Sequence, residues 1–299
     1  MAADRSIEIL RVCWGMSRPS QLALIGGVYA LGATVGVAHG GTVAVEPIVG
    51  VGLPLLALSA SVHYVNEYAD YETDHLTDRT RFSGGSGALV GTDLPRSLPL
   101  RAAVVSLAAG VGLAATARLA VPVPDAVLVL LAAIVVLGWG YSVGPRFAWR
   151  GLGEVDNSLL GGLLLPLVGY ATVTGTVTLE AALAFVPFTL LVFCNLLATQ
   201  WPDREADGIV GKRTLAVRWE PGRLRTTYWL VAAASLGSLA TLWWFGVLPT
   251  VVALASLLVV PLVGWGGHVL TRQRSPFPSV AAMVSLAALQ LAGWYWLAV

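Results

Sequence analysis

Three observations predict an all-α protein that crosses a membrane nine times. Nine apolar stretches approach the roughly 20 residues a helix needs to traverse the hydrocarbon core. Of the 299 residues, 56% are hydrophobic and only 12% charged, against about 25% charged in a soluble domain. The charges that remain also separate by loop: they crowd into alternate connections.

The first 18 residues mix Asp4, Arg5, Glu8 and Arg11 and lack the short apolar run and small-residue cleavage site of a signal peptide. The expected spans follow at 19–40, 44–66, 97–119, 124–142, 155–175, 180–200, 226–246, 248–270 and 279–298. Pro122 and Pro124 break the chain between the third and fourth. Pro249 opens the eighth, and Pro276 and Pro278 precede the ninth. Proline suits a helix start because its missing N–H has no intrahelical partner there.

Nine spans put the N-terminus and the loops after spans 2, 4, 6 and 8 on one side. Seventeen of the 18 basic residues fall on that side, and only Arg118 falls on the other. Basic residues mark the cytoplasmic face, so the N-terminus is expected inside and the C-terminus outside. The acids divide the same way: only Glu46, Asp125 and Glu180 lie outside. Membrane insertion explains the arginines but demands no acids beside them. The net charge of +1 argues against a nucleic-acid partner, which selects a basic excess. Cys13 and Cys194 are placed too far apart to suggest a disulfide framework, and no Cys/His cluster has zinc spacing.

The acids concentrate in two places. Asn66, Asp70 and Asp74 are spaced four apart after span 2, and Asp203 and Asp207 repeat that spacing after span 6. On a helix such residues stack on one face. Stacked carboxylates repel, so four of them need a cation, and an oxygen-only donor set without His or Cys suits Mg²⁺. Asp70 and Asp203 are 133 residues apart, as are Asp74 and Asp207, and Arg79 and Lys212. This predicts a parallel internal repeat, with halves near 19–142 and 155–270, inside one domain spanning 1–299. Asp70, Asp74, Asp203 and Asp207 are the expected catalytic residues, and Asn66 joins them as a metal ligand. Arg79, Arg81, Lys212 and Arg213 are the expected diphosphate-binding cations, because a polyanionic leaving group needs cationic donors and metal. Ser83-Gly84-Gly85-Ser86-Gly87 offers a nest of backbone N–H groups for phosphate.

In this pattern the sequence resembles the UbiA superfamily of intramembrane prenyltransferases. Asn66 to Asp74 is similar to that family's first motif, and Asp203 to Val217, ending Gly211-Lys212-Arg213-Thr214-Leu215-Ala216-Val217, to its second. Tyr141-Ser142-Val143-Gly144-Pro145 followed by Arg150-Gly151-Leu152-Gly153-Glu154 is similar to the menaquinone-type branch, which prenylates a dihydroxynaphthoate. Glu67 stands where the family more often has Asp, and Thr199-Gln200 where it often has an asparagine pair. The resemblance implies a helical bundle around a central cavity, capped on the cytoplasmic side by the 2–3 and 6–7 loops. It also implies Mg²⁺-dependent transfer of a polyprenyl group from its diphosphate to an aromatic quinone precursor.

Candidates for the substrate and acceptor pocket are Asn195 and Thr199 on the Asp203 face of span 6, Asn157 at the start of span 5, Tyr141, Tyr68, Arg150 and Glu154. Aromatic rings at such positions either stabilise a carbocation through cation–π contact or anchor the interface. Arg150 and Glu154, four apart, either pair or contact the acceptor. His63 either faces the cavity or hydrogen-bonds a neighbouring helix. A glycerol-phosphate lipid acceptor is a rival reading on the same scaffold. A transporter is disfavoured, because transporter ion sites lie near the midplane and these acids lie at helix ends.

Overall fold

A computed structural model describes residues 2–299, with side chains from Arg5 onward. Every regular element among these residues is helical. In chain order they are α1 (Ala2–Met16), α2 (Pro19–Ala38), α3 (Val45–Ala69), α4 (Tyr71–Leu76), α5 (Leu98–Ala120), α6 (Asp125–Ser142), α7 (Gly153–Leu159), α8 (Leu165–Thr174), α9 (Leu179–Ala184) and α10 (Val186–Gln200). There follow α11 (Arg204–Ile209), α12 (Leu215–Arg218), α13 (Pro221–Trp244), α14 (Thr250–Leu257), α15 (Val260–Val269) and α16 (Phe277–Ala298).

Eight of the nine expected spans qualify on length and apolar composition among the described residues. The remaining one, 226–246, forms as α13 but is less apolar than the rest. Its 24 residues reach about 36 Å at 1.5 Å per residue, enough to cross. Three spans are interrupted. A turn of π-helix, Leu160–Leu164, joins α7 to α8; Phe185 separates α9 from α10, and Leu258 and Val259 separate α14 from α15. Wide turns of this kind recur at functional sites.

The bundle closes through α3 against α5, α2 against α8 and α16, and α10 against α13. Lipid supplies no hydrophobic drive between helices, so small residues that let backbones approach carry the packing. The α2–α8 contact shows this reciprocally: a Cβ on Gly32 would strike the Pro166 backbone, and one on Gly169 the Tyr29 backbone. Gly169→Leu is therefore expected to overpack this seam, at a cost of about 1–3 kcal/mol or more, and to lower the thermal midpoint in detergent. Gly26→Leu, with open space around its Cβ, is the control expected to leave the midpoint unchanged.

α1 does not span. It lies against the motif end of the bundle, with Val12 and Met16 packed on Leu89 and Leu94, while Ile7, Leu10 and Trp14 face outward. The long connection from α4 to α5 lies over the same end.

Candidate active site

α3 ends at Ala69, and Asp70 forms the joint to α4. The backbone ladder continues across that joint, with Asp70 N–H donating to the Asn66 carbonyl at 2.8 Å and Asp74 N–H to that of Asp70 at 2.8 Å. The expected column of Asn66, Asp70 and Asp74 thus survives a bend. The second motif behaves alike: Asp203 opens α11, and Asp207 N–H donates to its carbonyl at 2.9 Å.

The two motifs meet. Lys212 Nζ donates to Asp70 Oδ1 at 2.9 Å and lies 3.5 Å from Asp207 Oδ1. Its flank is the Trp149 ring, with Nζ 5.2 Å from the centroid. The glycine-rich segment makes a second tie, since Gly84 N–H donates to Asp203 Oδ2 at 3.0 Å. Ser86 donates to Glu67 through its N–H at 2.9 Å and its hydroxyl at 2.6 Å. Arg18 closes this knot, its Nε donating to Glu67 Oε1 at 3.0 Å. Gly84, Gly85 and Gly87 all have positive φ, which glycine adopts without the steric penalty of a Cβ. Gly85 also sits so near the Asp74 carboxylate that a Cβ there would collide with it. The segment is a strap pinned to both motifs.

Below the strap, a cavity of about 190 Å³ opens between α2, α3, α6 and the π turn. Its polar rim carries Arg18, His63, Asn66, Tyr141 and Asn157, and its walls are apolar. Ser142 donates to Asn66 Oδ1 at 3.1 Å and fixes that amide. Tyr141 lies within electrostatic reach of Lys212, Asp70, Glu154 and Asp207, which places the rim beside the carboxylates.

Burial sets the charge state of this centre. It pushes Asp74 up to about 8, with Glu67 and Asp70 adding to the rise. It pushes Asp207 up to about 7 against the pull of Lys212, and Asp203 up to about 6 against the Gly84 hydrogen bond. Burial works against the Lys212 charge too, but Asp70 and Asp207 outweigh it and hold the ammonium protonated.

The sequence matches the UbiA prenyltransferase family over residues 27–297, nearly its whole length. The chain belongs to the UbiA prenyltransferase family. It is thus an integral membrane prenyltransferase. Among curated proteins none matches it. Solved structures do. A UbiA homologue from Archaeoglobus fulgidus bound to DMAPP and Mg²⁺ is similar at a TM-score of 0.70 and 17% identity, over 95% of this chain and 98% of that one. An apo UbiA homologue from Aeropyrum pernix K1 gives 0.69 at 15% identity, over 91% and 96%. A digeranylgeranylglyceryl phosphate synthase gives 0.66 at 13%, over 96% and 99%. At these identities the likeness is one of fold.

Within this UbiA bundle the expected site residues take the following positions. Lys212 is buried between the Asp70 and Asp207 carboxylates, the ionic partners that a charged group at this depth needs. Arg79 is exposed and its Nε donates to the Gly85 carbonyl at 3.3 Å, wrapping the strap. Arg81 is exposed beside the Phe82 ring, and Arg213 is exposed. The strap's N–H groups are not an open phosphate nest, since Gly84 and Ser86 spend theirs on carboxylates. Arg150 and Glu154 do not pair: the fully buried Glu154 accepts from Leu215 N–H at the start of α12, and Arg150 is exposed. Of the expected pocket residues, Tyr141 and Asn157 line the cavity, while Tyr68, Arg150, Glu154, Asn195 and Thr199 do not. Thr199 bonds its own helix at the Leu196 carbonyl.

Sequence reasoning missed Arg18 and the load on Glu67. A long-range pair 49 residues apart leaves no periodic trace, although the acid beside Asn66 in the motif was a signal.

The donor set fits a hard divalent cation. Asp203 Oδ1 is buried without a hydrogen-bond donor, a costly state for a carboxylate oxygen, and Asp207 Oδ1 has only the Lys212 ammonium, 3.5 Å away. Among the described residues no three of His, Cys, Asp or Glu converge into a closed cage. An ion here would complete its shell with water and substrate oxygens, as Mg²⁺ does.

Proposed function

We propose that this enzyme transfers a polyprenyl group from an isoprenyl diphosphate to an aromatic quinone-precursor acceptor, with Mg²⁺ as cofactor. The observation that carries the reading is that Lys212 joins Asp70 of the first motif to Asp207 of the second, while the strap ties Asp203 to the same end of the bundle. Asn66, Asp70, Asp74, Asp203 and Asp207 would hold the metal, directly or through water. When bound, it supplies Lewis-acid neutralisation of the diphosphate leaving group. Lys212, Arg79, Arg81 and Arg213 are the chain's own cations at that end. Arg81 and Arg213 are exposed, Arg79 would release the Gly85 carbonyl to reach substrate, and Lys212 would exchange carboxylate for phosphate. Trp149 and Tyr141 face the region where allylic positive charge develops, and an aromatic face attracts a cation. The strap and the bundle keep water, which would trap that carbocation, from the rim. The arginine distribution supports a cytoplasmic face for this end, with the prenyl tail in the lipid.

A compact ring suits a cavity of about 190 Å³. Mass spectrometry of products from membranes offered one polyprenyl diphosphate with a dihydroxynaphthoate, a hydroxybenzoate or geranylgeranylglyceryl phosphate decides the acceptor. A prenylated aromatic is expected. Product from the glycerol-phosphate lipid alone would transfer the assignment to ether-lipid synthesis.

A further inference from the structure

We infer that His63 is the base that takes the acceptor's hydroxyl proton as the ring is alkylated. This rests on the aromatic acceptor proposed above. His63 lies on α3 one turn before Asn66 and borders the same cavity. Its Nδ1 is 2.7 Å from the Ser17 carbonyl oxygen. A carbonyl can only accept, so Nδ1 carries the hydrogen and Nε2 keeps its lone pair. Among the described residues Nε2 makes no hydrogen bond, and the ring is half-buried rather than sealed. A fixed tautomer with an open acceptor nitrogen at a cavity wall is the arrangement a general base needs.

Its charged neighbours are Arg18, across from it on the N-terminal segment, and Glu67, one turn further along α3. Those two are paired with each other. Among the described residues no carboxylate lines the cavity. Glu67 accepts from Arg18 and Ser86, Asp70 from Lys212, and Asp203 from Gly84.

The step balances. The acceptor O–H passes its proton to Nε2 and the oxygen lone pair moves into the ring. A ring carbon bonds to the allylic carbon, whose C–O bond breaks with its electrons leaving on the diphosphate. The substituted ring carbon then sheds its hydrogen as a proton to the released diphosphate, the ring regains aromaticity, and the imidazolium returns its proton to the oxygen. The Nδ1–H bond to Ser17 strengthens while the ring is charged, so the backbone stabilises the intermediate imidazolium.

The test uses the full chain in proteoliposomes with Mg²⁺, a polyprenyl diphosphate, and a dihydroxynaphthoate with its ring-fluorinated analogues. His63→Gln is expected to lower kcat about 10²-fold, the lower end of what a positioned base contributes, with the donor KM unchanged. His63→Asn keeps an amide N–H for Ser17 and covers the case where the first variant fails to fold. Fluorination acidifies the hydroxyl, so the gap between wild type and variant is expected to narrow at least tenfold along the series. A purely structural histidine would give the same gap with every analogue, and that result, or an unchanged kcat, overturns the inference. If wild type prenylates no aromatic at all, the acceptor assignment fails first. If it prenylates them while the gap stays flat, only the base is wrong.

Discussion

Asp203→Asn is expected to lose prenyl transfer by about 10²–10³-fold or more, the scale of removing one preorganised electrostatic contact to a developing charge, while keeping or raising the thermal midpoint. The two effects have separate origins. Asp203 Oδ2 accepts from Gly84 N–H, a bond the asparagine carbonyl reproduces, but Oδ1 is buried with no donor. Replacing a buried, partly protonated carboxyl with an amide relieves that burden and removes the proposed metal ligand. Asp70→Asn should lose activity equally and stability as well, because it leaves the Lys212 ammonium buried with weakened partners, a loss of about 3–5 kcal/mol where a buried pair is broken. Turnover by single-round radiolabelled transfer and melting in detergent separate the two. Retained turnover in purified Asp203→Asn would remove the metal assignment.

The second large effect is on cofactor and pH together. EDTA should take turnover to background, and added Mg²⁺ should restore it. The affinity for Mg²⁺ should also climb with pH. Only the ionised carboxylate ligates a cation. Asp203, Asp207 and Asp74 are pushed up to about 6, 7 and 8, so at pH 6 most of the site is protonated and loading must expel those protons. Affinity therefore rises from pH 6 to pH 8 and flattens above. The linkage for the empty protein runs oppositely. A raised acid binds more protons folded than unfolded, so metal-free stability is highest below the unfolded value near 4 and falls as pH rises through about 8. Calorimetry in two buffers of different ionisation heat reads the released protons. Turnover indifferent to chelation, or an affinity flat across that window, would point to another mechanism.

Sequence alone placed the helices well. The second span was expected at 44–66 and runs Val45–Ala69; the ninth, at 279–298, runs Phe277–Ala298. Length and hydropathy are local properties, and a bilayer imposes them on every crossing segment. Spacing four apart is equally local, so Asn66, Asp70 and Asp74 stood out without a structure. The partners did not. Lys212 was visible as a cation beside the second motif, but only folding shows that it reaches back to the first. Glu154 capping α12 and Ser86 bonding Glu67 are contacts between residues 61 and 19 positions apart, set by helix packing rather than pattern. The same holds for the pocket: Asn195 is expected on the Asp203 face, yet it does not line the cavity, and the π turn brings Leu160 and Gly161 there instead.

The Lys212–Asp70 bond spans 142 residues, and this has a consequence for biogenesis. During synthesis Asp70 reaches the membrane surface long before its lysine exists, and four further crossings are made in the interval. Until Lys212 arrives Glu67 has Arg18, but Asp70 lacks its cation. Once it arrives, the young protein can close its own centre with an internal cation, before any divalent ion or lipid substrate is bound.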